Sequence, residues 1–214
     1  MIIKVCGVTD AALAEVAIAA GADWIGIVLV PESPRHAGDT AAREVAAVTA
    51  GHVDLIGVLL SPTAAQCDHA AERYHLDAVQ VHGPVDRGLV QHCSVPVIRA
   101  INPRTRAEAY TVDWWPDGLL HLDGSADEPD ALPGGTGRAV PLGWAAEVAR
   151  HRPIILAGGL TAENVSRAID AAAPLGVDAS SGLEASPGMK DPVRVERFVH
   201  EARAAFERVG RPAA

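Results

Sequence analysis

Pro153-Ile-Ile-Leu-Ala-Gly-Gly-Leu160 and, one helix length further on, Leu175-Gly-Val-Asp-Ala-Ser-Ser-Gly182 decide how this chain is read. Each is a short apolar run that ends abruptly in residues with little or no side chain. Such a run, bounded by glycine, predicts a strand buried on both faces. Gly158, Gly159 and Gly182 let the backbone turn tightly and leave N–H groups open to a ligand. A helix start follows each run. Thr161 is the expected N-cap of a helix reaching about Ala172, and Pro187-Gly-Met-Lys-Asp191 leads into a closing helix. Two neighbouring strand ends with bare N–H groups and helix N-termini make an anion site. In an eight-fold β/α barrel, phosphate sits on the loops after strands seven and eight.

Working outward, the same unit recurs along the chain. Ile2–Cys6 predicts a strand stopped by Gly7, and Asp10 caps a helix over Ala11–Ala20 that Gly21 closes. Further strands are expected at Asp23–Val30, Val53–Leu60, Asp77–Val81, Pro96–Ala100 and Gly118–Asp123. Helices are expected at Asp39–Ala50, from Pro62 onward, weakly at Val85–His92, at Thr105–Thr111, at Leu142–Arg150 and at Pro192–Val209. A polar loop of roughly 17 residues, Gly124–Val140, is too long for a plain connection in a compact domain and points to function or disorder. Strands recur about every 20–30 residues, the scale of a βαβ crossover. Eight such units without a linker predict an α/β fold with a parallel eight-stranded sheet, closed as a single-domain (β/α)8 TIM barrel over residues 1–210, with 211–214 as a frayed tail. An open doubly wound sheet would also alternate; the regular count of eight favours closure.

Composition removes several functional classes. A net charge of -9 argues against a nucleic-acid or anionic-membrane surface, and 4% aromatics leave little for base stacking. Cys6, Cys67 and Cys93 are odd in number and widely spaced, which is neither a disulfide framework nor a zinc pattern. No run is long enough to span a bilayer, and Met1 leads straight into a strand, so no leader and a cytoplasmic setting are expected. No metal-ligand spacing is present.

A barrel directs every strand's C-terminal end to one mouth. Reading off those ends gives Cys6, Arg35, Gln80, His82, Arg99, Asp123, Gly158-Gly159 and Asp178 through Gly182. A thiol and an acid on separate strands suit paired proton transfer. Lys4 shares a strand face with Cys6. Each residue has a plainer alternative at this level. Cys6 is also explained as a small core hydrophobe, Asp123 as a turn cap, Arg35 as a surface charge and His82 as a rim histidine. Gln80 and Arg99 equally fill barrel layers.

Taken in order, Lys4-Val-Cys-Gly-Val-Thr9, Ser33-Pro-Arg35, Val79-Gln-Val-His-Gly83, Leu122-Asp123, Gly134-Gly-Thr-Gly137, Leu156-Ala-Gly-Gly-Leu160 and Val177-Asp-Ala-Ser-Ser-Gly-Leu-Glu184 with Pro187-Gly-Met-Lys-Asp191 resemble the phosphoribosylanthranilate isomerase family across residues 2 to about 200. The resemblance implies the barrel fold and a cofactor- and metal-free Amadori rearrangement in tryptophan biosynthesis. It implies a phosphorylated small-molecule substrate and a monomer or homodimer. It matches Asp123 to a general acid and Cys6 to a general base, which requires the Asp123 pKa to be raised and that of Cys6 lowered. Arg35 falls where the anthranilate carboxylate is expected. His82, Gly158, Gly159, Asp178, Ser180, Ser181 and Gly182 fall in the substrate and phosphate motifs, and Gly135 in a loop expected to cover the site. The chain departs from the family in four places. Val140-Pro-Leu142 stands where Phe-Asp-Trp is usual (a two-residue shift would bring Trp144 into the tryptophan's place, with the acid still missing), Asp10-Ala-Ala12 where an arginine and then an acidic residue are common, Glu32 where a lysine is usual, and Leu183 where a valine is usual. A related phosphosugar isomerase and a non-catalytic phosphate-binding barrel are the competing readings. The cysteine after the first strand argues against the former, whose relatives use two aspartates.

Overall fold

Ile2–Cys6 forms β1, and all five of its residues are buried. A strand can be buried on both faces only if helices cover one side and side chains fill the other. The computed structural model describes residues 1–110, 115–116, 118–124 and 139–210, and it shows that arrangement. The strands β2 (Trp24–Val28), β3 (Asp54–Leu60), β4 (Ala78–His82), β5 (Val97–Ile101), β6 (Leu120–Leu122), β7 (Ile154–Leu156) and β8 (Gly176–Ala179) follow β1 in spatial as well as chain order, and β8 returns to β1. The closed eight-stranded barrel predicted from the alternation is therefore the fold. Between the strands run α1 (Ala11–Ala20), α2 (Asp39–Thr49), α3 (Ala64–Tyr74), α4 (Leu89–His92), α5 (Arg106–Tyr110), α6 (Leu142–His151) and α7 (Val165–Ala172), and α8 (Pro192–Arg208) closes the ring. No helix among the described residues is long and apolar enough to cross a membrane.

Strand alternation divides the side chains cleanly. Ile3, Val5, Ile25, Ile27, Val79 and Val81 point outward into the main core between sheet and helices, where Phe198 and Phe206 of α8 are wholly buried. The inward residues make two small apolar patches. Ile56, Ala78 and Ile98 lie at one level, and Cys6, Val28 and Val58 at another. Lys4, Gln80, His121 and Asp178 are also buried, on the inward-facing alternate positions of β1, β4, β6 and β8. The barrel interior is thus part apolar and part charged, and the charged part lies below the mouth.

Local chemistry sets most element ends. Asp10 accepts from Leu13 N at 2.8 Å, and Gly21 ends α1 in the left-handed region. Asp191 accepts from Val193 N at 2.9 Å and opens α8, with Pro192 in its first turn. Several expected boundaries move. Pro62 precedes α3, whose cap is Thr63 in a reciprocal box with Gln66. The fourth helix is a single turn, and α7 begins at Val165 with Asn164, not Thr161, at its N-cap. After β8 the chain makes a 3-10 turn at Ser181–Leu183 and an unforeseen hairpin, β9 (Glu184–Ser186) with β10 (Met189–Lys190). The expected tail at 211–214 and most of the sixth loop, Gly135 included, lie outside the described residues.

Candidate active site

The mouth is built in depth from strand register. Lys4 on β1 and Asp178 on β8 are direct cross-strand partners. Lys4 Nζ donates to Asp178 Oδ2 at 2.9 Å, with both side chains nearly inaccessible. The same Oδ2 accepts from His121 Nε2 at 2.7 Å. A carboxylate only accepts, so His121 carries its proton on Nε2 in this contact. Burial works against the carboxylate charge, but Lys4 and His121 outweigh it and hold Asp178 at about 2. Burial also works against the Lys4 charge, and Asp178 and Cys6 together more than offset it, leaving Lys4 above its ordinary value. A pair this deeply desolvated costs about 3–5 kcal/mol to break by removing one partner, because the other charge is left stranded.

Cys6 is 6% exposed and sits above this pair. Gly26 faces it on β2. A Cβ at Gly26 would come 2.8 Å from Cys6 Sγ and 3.2 Å from Lys4 Cε, so the bare glycine sets sulfur and lysine side by side. Burial pushes the Cys6 thiol up. Lys4 and Lys190 draw it down, Asp178 pushes the same way as burial, and burial prevails. The expectation of a lowered thiol is thus corrected: the cation is present, but loss of water costs the thiolate more than Lys4 returns.

Above the thiol lies a second ionic cluster. Arg35 grips Glu184 with two parallel bonds, Nε at 2.6 Å and Nη2 at 3.0 Å, and Lys190 reaches the same carboxylate at 3.0 Å. Lys190 also donates weakly to the carbonyl and hydroxyl of Ser180. Burial raises and these two cations lower the Glu184 carboxyl, which ends below its ordinary value. The missed β9–β10 hairpin carries both Glu184 and Lys190, and so orders this side of the mouth.

Opposite, Gln80 Nε2 lies 2.8 Å from His82 Nε2, and the His82 ring meets His121 edge-on with centroids 5.9 Å apart. Burial, then the charges of His121, Lys4 and Arg99, push His82 down to about 3, so this histidine is neutral. One half-open pocket gathers Cys6, Arg35, His82, Asp123, Asp178 and Ser180, with Val28, Val30, Pro34, Val58 and Leu60 forming an apolar wall. Asp123, at the end of β6, is 5% exposed there. Gly158 and Gly159 both have positive φ, 93° and 62°, which places this turn in the region glycine favours. A Cβ at Gly182 would collide with the carbonyl of Leu160, so the loops after β7 and β8 approach as closely as backbone allows. Ser181 opens the short 3-10 turn that follows β8.

Of the mouth residues read from strand ends, Arg99 does not belong. Ile98 and Ala100 flank it inward, and Arg99 turns out of the barrel, its guanidinium 5.6 Å from the Trp115 ring. Gln80 does belong. His121 went unremarked in the sequence, although its place two residues before Asp123 puts both on one face of β6. Among the described residues no cluster of three or more His, Cys, Asp or Glu could hold a metal ion.

The fold and the mouth define a class: a (β/α)8 barrel whose C-terminal strand ends bring a thiol, carboxylates, histidines and an arginine into one pocket. The chain belongs to the N-(5'-phosphoribosyl)anthranilate isomerase family, whose model matches residues 3–201. It is 37% identical over 213 residues to the N-(5'-phosphoribosyl)anthranilate isomerase of Paracoccus denitrificans (strain Pd 1222), covering 94% of this chain and 97% of that protein. The crystal structure of phosphoribosyl anthranilate isomerase from Thermotoga maritima superposes with a TM-score of 0.84 at 29% identity, over 95% of this chain and all of the other. A phosphoribosyl anthranilate isomerase in complex with reduced 1-(o-carboxyphenylamino)-1-deoxyribulose 5-phosphate gives 0.82 at 27%, with the same coverage.

Proposed function

We propose that this chain catalyses the Amadori rearrangement of N-(5-phosphoribosyl)anthranilate to 1-(2-carboxyphenylamino)-1-deoxyribulose 5-phosphate, an aldose–ketose isomerisation of tryptophan biosynthesis. The observation that carries it is the meeting of Cys6 and Asp123, at the ends of β1 and β6, in one pocket with Arg35 and Ser180. Asp123 acts as general acid and gives a proton to the ribose ring oxygen. The C1–O bond breaks as the anilino nitrogen forms a double bond to C1. The Cys6 thiolate then takes the proton from C2, and the electron pair moves to give an enolamine. The Asp123 carboxylate then takes the O2 proton and the Cys6 thiol gives its proton to C1, which yields the ketone and restores both side chains. Every step moves protons and electron pairs within the substrate or between it and the two side chains, so the atoms balance without a redox partner.

The surroundings fit these roles. Burial works against the Cys6 thiolate, and Lys4 and Lys190 are the cations that favour it. Arg35, beside an apolar wall of valines and Pro34, suits a benzoate: ring on the wall, carboxylate on the planar guanidinium. The N–H groups of Gly158, Gly159, Ser180, Ser181 and Gly182 suit the phosphate, as in other barrels of this size. His82 and Asp178 face the ribose chain.

Replacing Cys6 tests the assignment. Cys6→Ala removes the base and is expected to lower kcat by 10²-fold or more, on the order of a general-base contribution. Cys6→Ala with wild-type turnover would remove the thiol from the mechanism.

A further inference from the structure

Two donors converge on a single oxygen at the base of the pocket. Asp178 Oδ2 accepts from Lys4 at 2.9 Å and from His121 at 2.7 Å, while Asp178 Oδ1 and His121 Nδ1 have no partner among the described residues. The whole hydrogen-bonding engagement of this carboxylate is thus shared between one cation of β1 and one ring of β6. Lys4 is also the cation set against Cys6 Sγ across the bare backbone of Gly26. Lys4 is therefore divided between a carboxylate and a thiol, and the division depends on what else holds the carboxylate.

We propose that His121 is a positioning residue for the Cys6 base: by taking part of Asp178 Oδ2, it keeps the Lys4 ammonium available to the sulfur. This rests on the reading of Cys6 as the base. The electrostatic signs agree with it. Lys4 favours the thiolate and Asp178 opposes it, while the His121 bond stabilises the Asp178 carboxylate. Remove the His121 donor, and the carboxylate falls wholly on Lys4, whose charge no longer serves the sulfur. The other charged groups around the thiol belong to different elements: Lys190 on β10, Arg35 and Glu184 at the rim, Asp123 at the end of β6 and neutral His82 on β4. None of these bonds to Asp178 among the described residues, so a change at His121 reaches Cys6 through Asp178 and Lys4.

The test reads the thiolate directly, without substrate. The full-length protein is treated with iodoacetamide from pH 6 to pH 10, and alkylation of the Cys6 peptide is followed by mass spectrometry. Resolving peptides separates Cys6 from Cys93 and from buried Cys67, which burial and Cys93 push up to about 12. His121→Leu is expected to move the Cys6 profile to higher pH, slowing alkylation about tenfold at pH 8, the scale of one pKa unit. His121→Asn restores a donor to Asp178 and should recover much of the shift. Asp178→Asn removes the competing charge and should move the profile the opposite way, to lower pH, which keeps the idea testable should His121→Leu fail to fold. With substrate, His121→Leu is expected to lower kcat and leave KM nearly unchanged. Superimposable Cys6 profiles for the wild type and folded His121→Leu, or shifts of the same sign for His121→Leu and Asp178→Asn, would overturn it. A wild type without isomerase activity whose Cys6 profile still responds in opposite directions would sink the isomerase reading, with Cys6 as its base, and leave only the control of the thiol by His121 through Asp178 and Lys4.

Discussion

His82 is held neutral inside the barrel, and acid should expose the cost. Its ring is 5% exposed, and burial with the nearby charges of His121, Lys4 and Arg99 pushes it from 6.5 to about 3. An unfolded chain binds this proton as pH falls through 6.5, while the folded chain does not until pH nears 3. The unfolded state therefore holds more protons across that window, so stability is full above 6.5 and drains away as pH falls. From this one group the loss is about 1.4 kcal/mol at pH 5.5 and about 2.7 kcal/mol at pH 4.5. Against a total stability of about 5–15 kcal/mol, this is a visible fraction. Urea unfolding at steps between pH 7.5 and 4.5 measures it, with His82→Gln alongside. The variant lacks the titration, so the wild-type advantage or deficit relative to it must change by about 2.5 kcal/mol across the series. A constant difference at every pH would mean that His82 protonates freely in the folded barrel, and the account of a dry, positively charged interior would fall.

Three further outcomes follow from particular residues. Pro141 stands at the N-cap of α6 and makes no side-chain cap bond. Pro141→Asp supplies an acceptor for the first-turn N–H groups and should raise stability by about 1 kcal/mol in thermal or denaturant unfolding; no gain would mean that the turn cannot present the carboxylate. Gly182→Ala sets a methyl against the Leu160 carbonyl, so unfolding should become easier by about 1–3 kcal/mol and inorganic phosphate should bind more weakly in a calorimetric titration. Unchanged values in both would show the β7 and β8 loops to be loosely apposed. Arg35→Lys keeps the charge but loses the planar fork that grips Glu184. KM for the anthranilate-bearing substrate should rise about tenfold, and an unaltered KM would remove Arg35 from recognition of the carboxylate.

The barrel was legible because its strands are buried on both faces. Runs such as Ile2–Cys6 and Trp24–Val28 read as apolar blocks whose order alone gives the topology, and caps such as Asp10 and Gly21 punctuate them. Boundaries moved where a side chain served a turn instead of a helix. Thr161 N bonds Asn164 Oδ1 at 2.9 Å and Glu163 N bonds Thr161 Oγ1 at 3.2 Å, so the expected first turn of α7 is spent on a loop. The fourth helix lost its start because Asp86 bonds the N–H of Gly88. The β9–β10 hairpin was illegible: strands of two or three residues carry no periodicity. Lys4 and Cys6 were rightly placed on one face, but the direction of the thiol's shift depends on how much water burial removes, which no spacing records. His121 bonds to Asp178, 57 residues away. Only alternation from Asp123 pointed inward at His121, and alternation names a face, not a partner.

The central claim, an Asp123- and Cys6-dependent rearrangement, is tested most directly by following the fluorescence of phosphoribosylanthranilate after addition of the purified protein, beside Asp123→Asn. The account predicts rapid decay with the wild type and none with the variant. No decay with folded wild-type protein, or decay as fast with Asp123→Asn, would contradict it.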